Sequence, residues 1–227
     1  MVTVPKPNIH YVPATALAGA KIEDLVATPP NDAVPPLPGN ALSLRLRELT
    51  VLDNFDGIFE GIFGGSNELK LVSLVNDGTG DDPFKFEVGT FPGIKPKAPL
   101  PLGDKGLVLY YAEPEDFPKY LDWRLLVVED DSDVRNAGAM IKKVQGSTAY
   151  KDILTAAVGL ANPTIAAVAE ISNKVIGLIA DLMEQNSDDV ITLFAATYTR
   201  AFDRLGVGPH TFHHDGRTRG RYEILAQ

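Results

Sequence analysis

The chain is constrained most by a series of short apolar runs between residues 41 and 130, separated by glycine, proline, asparagine and aspartate. In the first run Leu42, Leu44 and Leu46 alternate with polar residues, which is the period-two pattern of a half-buried β-strand. The other runs are Leu69–Val75, Phe84–Phe91, Gly106–Ala112 and Trp123–Glu129. Short strands with turn residues between them predict an antiparallel β-sandwich or barrel.

The segment after residue 145 has a different pattern. Ser147–Leu160 and Pro163–Glu184 predict two helices, because apolar residues recur in the second at spacings of three and four. The residues of this apolar stripe are Val168, Ile171, Val175, Leu178 and Leu182. The stripe needs a partner surface, which is the sheet, the other helix or another chain.

The C-terminal part returns to strand-like sequence. Val190–Leu205 predicts a strand that is followed by a turn or by a third helix. Pro209–His214 and Gly220–Leu225 flank Asp215-Gly216, a dipeptide typical of β-hairpin turns. We therefore expect a mainly β fold: an antiparallel β-sandwich with a helical insertion at about residues 147–184, before the C-terminal hairpin.

The N-terminal 40 residues form a separate proline-rich arm. They hold eight of the seventeen prolines, and proline fixes φ and removes a hydrogen-bond donor, so a regular sheet or a long helix is not expected there. The arm is a flexible leader, or it docks on its own domain or on a neighbour. Residues 41–227 are predicted to form a single domain.

Composition narrows the range of functions. A net charge of −9 argues against broad contact with nucleic-acid phosphates, which needs clustered Lys and Arg. The chain has no cysteine, which excludes disulfides, thiol catalysis and cysteine metal sites and suits the cytoplasm. No secretory signal precedes the domain, and the apolar stretch Ile153–Ala169 is interrupted by Pro163 and too short to span a membrane. We expect a cytoplasmic protein without a transmembrane segment.

Three acidic clusters, Asp53–Asp56, Asp77–Asp82 and Glu129–Asp133, lie next to strand-like runs. Carboxylates gathered on loops repel one another unless a cation screens them, and calcium prefers six to eight oxygen ligands. The candidate calcium ligands are Asp53, Asp56, Asp130, Asp131 and Asp133. The simpler interpretation is that these are solvated turns, because aspartate is a common turn former.

Two of these clusters carry a resemblance to a known family. Leu44–Leu52 followed by Asp53–Gly57 is similar to the first strand and first calcium loop of C2 domains, and Val127–Met140 resembles their third calcium loop. The resemblance implies a C2-like β-sandwich with calcium at one tip, where lipid or protein binds. The helical segment near residues 147–184 is not part of an ordinary C2 domain.

The histidines of the last hairpin give a weaker signal. His210, His213 and His214 with Asp215 have the chemistry of a zinc site. On a strand, however, His213 and His214 point to opposite faces, and His210 and His214 lie roughly 13 Å apart. Ser66 lies in no Gly-x-Ser-x-Gly nucleophile motif. We therefore predict that the chain is not an enzyme.

The sequence favours a non-catalytic binding or assembly module that is calcium-dependent at an acidic loop tip. Its partner is another protein, a further copy of the chain or the surface of a membrane, and not nucleic acid. One alternative is a structural subunit of a larger assembly, docking through its N-terminal arm and apolar helices. A second alternative is a metal-dependent hydrolase that uses the C-terminal histidines.

Overall fold

The computed structural model describes residues 41–52, 67–95, 97–130, 137–158, 164–184, 189–214 and 216–227. The N-terminal arm, residues 1–40, lies outside the described residues. The strands within the described part are β1 (Leu42–Val51), β2 (Asn67–Asn76), β3 (Phe84–Ile94), β4 (Leu107–Ala112), β5 (Tyr120–Asp130), β6 (Asp189–Thr199), β7 (Gly208–His214) and β8 (Thr218–Ala226). The helices of two or more turns are α1 (Ala137–Gly146), α2 (Thr148–Val158) and α3 (Ile165–Glu184).

The eight described strands form two antiparallel sheets. Sheet A has the strand order β4-β1-β8-β7, and sheet B has the order β3-β2-β5-β6. One hydrophobic cluster contains buried residues of both sheets, so the sheets pack face to face. The prediction of a mainly β sandwich with a helical insertion is confirmed.

Aromatic side chains link the two sheets at the centre of this core. The ring of Trp123 on β5 lies 5.1 Å from that of Phe194 on β6 and 4.7 Å from that of Tyr222 on β8. Its indole nitrogen donates a 3.0 Å hydrogen bond to Ser73 Oγ on β2. A buried tryptophan whose N–H has a partner combines a large apolar contact with no orphaned donor.

The central strand β5 is buried on both faces, as its continuous apolar run predicts. Leu125 and Val127 belong to the cluster between the sheets, whereas Leu126 and Val128 belong to a second cluster under the helices. Alternate side chains on a strand point to opposite faces, so a strand covered on both sides has no polar face.

The helices cover the outer face of their own sheet. The apolar stripe of α3 packs through Ile171 and Val175 into the second cluster, which also contains Val72 and Leu126 of sheet B and Ile179 beside the stripe. Of the three partners that the sequence left open, the structure therefore identifies the sheet and the neighbouring helices. None of the described helices is long and apolar enough to cross a membrane.

The helical insertion begins earlier than predicted. It includes α1, Ala137–Gly146, so it extends over residues 137–184 and not 147–184. The ten-residue α1 is short and contains Gly138, a weak helix former, so its helical pattern in the sequence is weak. Strand β6 also stands between the insertion and the hairpin, and a helical turn, Arg200–Asp203, follows it.

A buried ion pair joins β5 to α3. Arg124 Nη1 lies 2.9 Å from Asp122 Oδ1, and both side chains are almost completely buried. Arg124 Nε donates to Asn173 Oδ1 on α3 at 2.9 Å, and Thr197 Oγ1 donates to Asp122 Oδ1 at 2.5 Å. Hydrogen bonds to neighbouring groups offset part of the desolvation cost of a buried charge pair, and the bond to Asn173 positions the helix.

Candidate functional site

The predicted calcium ligands fall mostly outside the described residues. Asp53, Asp56, Asp131 and Asp133 lie in the undescribed segments 53–66 and 131–136. Asp130 is the last residue of β5, and its side chain is outside the described part as well. The structure does describe the two strand ends that lead into these segments, Val51 of β1 and Asp130 of β5.

Those two strand ends lie at the same end of the sandwich, which we call the acidic end and define by Val51 and Asp130. The carbonyl of Val51, the last residue of β1, accepts a 3.0 Å hydrogen bond from Lys97 N. Lys97 follows shortly after Ile94, which pairs with Asn67, the first residue of β2. The next residue of β2 pairs with Asp130. The first and third acidic clusters therefore begin at one end of the molecule.

The second acidic cluster lies at the opposite end. It follows Asn76, which ends β2 and pairs with Asp122 near the start of β5. Strand β2 has ten residues, so about 30 Å of strand separates this cluster from the acidic end. Asp77–Asp82 is therefore remote from the strand ends at Val51 and Asp130.

The carboxylate of Asp77 in this second cluster is used inside the fold. Its Oδ1 accepts hydrogen bonds of 2.8 Å from both the N–H and the hydroxyl of Thr79, and its Oδ2 accepts a 2.9 Å bond from Tyr110. Burial raises the pKa of Asp77 above its usual value, while the bonds from Thr79 and Tyr110 act in the opposite direction. These contacts make Asp77 a turn-forming residue, as the simpler interpretation of the acidic clusters states.

Asp82 has a similar structural role. Its Oδ1 accepts a 3.0 Å hydrogen bond from the backbone N–H of Phe84, and the hydroxyl of Tyr150 on α2 lies 3.4 Å from both carboxylate oxygens. Burial and the nearby Asp82 charge both raise the pKa of Tyr150. The turn after β2 therefore also contacts the helical layer.

A polar cluster surrounds His210 on β7. The imidazole stacks on the ring of Tyr222 at 4.8 Å, and its Nε2 donates to the carbonyl of Gly206 at 2.5 Å. Its Nδ1 lies 3.5 Å from the hydroxyl of Tyr198, which is 2.5 Å from the hydroxyl of Tyr222. Burial raises the pKa of Tyr198 to about 12, so this phenol keeps its proton at physiological pH. Both imidazole nitrogens are engaged within the chain.

The other two histidines of the strand do not gather around a metal position. His213 is exposed and alternates with Phe212, which packs into the core. His214 is at the far end of β7 from His210, near the acidic end. Among the described residues, no group of three or more His, Asp or Glu side chains has a geometry that holds a metal ion.

A polar groove lies beside this cluster on sheet A. Its volume is about 660 Å³. The lining residues are Arg47, Asp104, Pro209, His210, Thr211, Arg221, Tyr222 and Glu223. Two guanidinium nitrogens of Arg47 bond to Glu223 Oε2 at 2.6 and 2.9 Å, and Arg221 Nε bonds to Glu48 at 2.9 Å. Both arginines of the groove are thus paired with glutamates.

The partly buried carboxylate of Asp203 has a raised pKa. It lies in the turn after β6, and its Oδ1 accepts a 2.7 Å hydrogen bond from Thr199 N. Burial raises the pKa of Asp203 to about 7, and backbone hydrogen bonds, beginning with that from Thr199, oppose this effect. The group stabilises the crossover from sheet B to sheet A, so we assign it a structural role.

The sequence analysis missed two features of the structure: the ion pair of Asp122 and Arg124 and the polar cluster around His210. The ion pair has a local signal in the sequence. Asp122 and Arg124 are two residues apart and directly precede the apolar run Leu125–Val128, so they share a face, and this spacing predicts a buried charge pair. The cluster of Tyr198, His210 and Tyr222 has no such signal, because its members come from three strands. No protein-family model matches the chain, and no curated protein matches it.

Proposed function

We propose that the chain is a non-catalytic binding or assembly module whose acidic end holds calcium. The observation that carries the proposal is that β1 and β5 both end there, at Val51 and Asp130. The sequence continues from these ends with Asp53 and Asp56 and with Asp131 and Asp133. Carboxylates from two segments of one end are a ligand set that calcium accepts, together with carbonyls and water.

Calcium at this position would cancel the repulsion between the carboxylates and complete a docking surface. A lipid phosphate or a carboxylate of a partner protein would then supply the remaining coordination. Asp77 and Asp82 are not part of this proposal, because their oxygens are bonded to Thr79, Phe84 and tyrosine hydroxyls.

The alternative of a structural subunit relied on two docking surfaces, the N-terminal arm and the apolar helices, and it loses the second of them. The apolar stripe of α3 is buried against the sheet of the same chain, so it does not provide the docking surface on which that alternative relied. The hydrolase alternative has the weakest support, since the His210 nitrogens contact Gly206 and Tyr198.

The test is a thermal melt with calcium, with magnesium and with a chelator. A ligand of the native state stabilises it by mass action, by about 2.7 kcal/mol when present at a hundredfold excess over Kd. We expect calcium to raise the melting temperature of the wild type and to leave that of the double variant Asp53→Asn/Asp131→Asn unchanged. No shift at millimolar calcium would remove the proposal.

A matched variant removes two acids elsewhere. Asp81 and Asp116 are exposed at the opposite end of the sandwich. The double variant Asp81→Asn/Asp116→Asn has the same change of charge, so it should keep the calcium response. Loss of the response in both variants would show a diffuse charge effect and not a site.

A further inference from the structure

Within the part of the chain that the structure describes, strand β6 is an edge of sheet B and lacks the usual protection against strand pairing. It has eleven residues, and the segment 190–199 contains no charged residue, no proline and no glycine. An edge strand presents unpaired backbone donors and acceptors, and natural proteins block such edges with charges, proline or short length. A long uncharged edge is therefore a candidate for pairing with another strand.

The other three edge strands of the described sheets are protected. Strand β3 carries exposed Lys85 and Glu87 and contains Pro92. Strand β7 has seven residues and contains Pro209 close to its start, and β4 has only six residues. Because three edges carry these features, their absence from β6 sets it apart.

Apolar side chains of β6 are also exposed. Leu193 pairs with Leu126 of β5, so it points to the side of the sheet that the helices cover. It nevertheless has 36% of its surface exposed, and Ala195 on the same side is exposed as well. The helical layer therefore does not shield this edge of the sheet.

We propose that β6 pairs antiparallel with β6 of a second copy of the chain. A register centred on Phe194 places Leu193 of each copy opposite Ala195 of the other, and opposite residues of an antiparallel pair lie on the same face. The two exposed apolar positions then cover each other. The pairing of β6 with β5 is irregular at Ile191, which lies between the paired residues Val190 and Thr192. It is continuous from Thr192 to Thr199, the part of β6 that contains Leu193 and Ala195.

The charge that follows the strand favours the antiparallel direction. Arg200 directly follows Thr199, the last residue of β6, and its side chain is exposed. Parallel pairing in register would set the two Arg200 side chains beside each other, whereas antiparallel pairing places them at opposite ends of the shared ladder. The contact is isologous and closes with two copies, because the same surface is used on both sides. The two sheets B then form one eight-stranded sheet.

The test uses the full chain in analytical ultracentrifugation. We expect the wild type to form a dimer and the variant Leu193→Lys to be monomeric. The melting temperature of the variant should differ from that of the wild type only by the contribution of dimer formation. The control is Tyr111→Lys, which changes a half-exposed apolar residue on the edge strand β4 and should leave the dimer intact. A monomeric wild type, or a dimer that survives Leu193→Lys, would overturn the proposal.

A crosslinking experiment tests the register. The chain has no cysteine, so every thiol is an introduced one. Opposite Cβ atoms in an antiparallel pair are about 4.5–5.5 Å apart, which suits a disulfide after slight adjustment. A mixture of the Leu193→Cys and Ala195→Cys variants should form a covalent heterodimer under mild oxidation. If each variant crosslinks with itself more readily than with the other, the proposed register is wrong.

Discussion

The hydroxyl of Tyr110 on β4 donates a hydrogen bond of 2.9 Å to the carboxylate of Asp77, which follows β2, and so joins sheet A to sheet B. Both side chains are nearly inaccessible to solvent. Burial and the Asp77 charge together raise the pKa of Tyr110, which keeps the phenol a donor over the whole physiological range. The bond is a polar link between two sheets that share an apolar core.

Replacing Tyr110 by phenylalanine should lower the free energy of unfolding by about 1–3 kcal/mol, because a buried carboxylate then loses a donor. Urea denaturation measures the change. The control is Tyr111→Phe, since the hydroxyl of this half-exposed neighbour has only a 3.4 Å contact with Glu113. Equal effects of the two substitutions would contradict a structural role for the Tyr110–Asp77 bond.

Asp203 predicts a specific dependence of stability on pH. Its pKa is raised from 3.8 to about 7 in the folded chain. Between these two values the native state binds more protons than the unfolded state, so the contribution of this group to stability decreases as the pH rises and stays lowest above pH 7. The substitution Asp203→Asn removes this dependence. Relative to wild type, the variant should gain about 2–3 kcal/mol between roughly pH 5 and pH 8.

The measurement is the difference in unfolding free energy between the Asp203→Asn variant and the wild type across this pH range. Asp152 on α2 is exposed, so Asp152→Asn provides the control for removing a carboxylate at the surface. A pH-independent difference for Asp203→Asn would mean that the carboxyl has an ordinary pKa in the folded chain.

The ion pair of Arg124 and Asp122 predicts a large asymmetry between single and double variants. Arg124→Met leaves a buried carboxylate without its cation and should cost about 3–5 kcal/mol. Asp122→Asn/Arg124→Met removes both charges and should recover much of this loss. The exposed pair of Glu170 and Lys174, with a 2.7 Å contact, is the control, and Lys174→Ala should have no measurable effect in denaturation experiments. A double variant as unstable as Arg124→Met would contradict this explanation.

Gly206 and Gly80 separate steric contact from backbone conformation. Their φ values are 69° and 65°, so alanine has a similar backbone cost of about 1–2 kcal/mol at either position. A Cβ at Gly206 would come within 2.6 Å of the Tyr198 ring, whereas no described atom lies within 4 Å of one at Gly80. Gly206→Ala should therefore be clearly more destabilising than Gly80→Ala in urea denaturation. Similar losses would show that the ring moves aside without cost.

The strands could be predicted because each has a local pattern. The alternation in β1 and the continuous run in β5 report directly whether one face or both faces of a strand are buried. The sequence of β6 does not distinguish a strand from a helix. Its apolar residues Ile191, Leu193 and Phe194 lie on both faces, so they follow neither the period of a strand nor that of a helix. Its pairing with β5 decides the structure, and that is a tertiary contact.

The polar contacts could be predicted only in part. The turn role of Asp77 follows from residues next to it, because Thr79 is two positions away. Its bond to Tyr110 joins residues 33 positions apart, and the pair of Arg47 and Glu223 is separated by 176. Such contacts depend on the order of strands in the sheets, which local spacing does not encode.

The packing of α1–α3 on sheet B determines how this chain can be shortened. A variant that joins β5 to β6 by a short loop would leave Val72, Leu126 and Val128 facing water as one continuous apolar strip. Such a molecule would aggregate and not persist as a trimmed sandwich. The segment that interrupts the strand sequence is therefore an integral layer of the fold, and evolution or design can vary its outer surface far more easily than it can remove it.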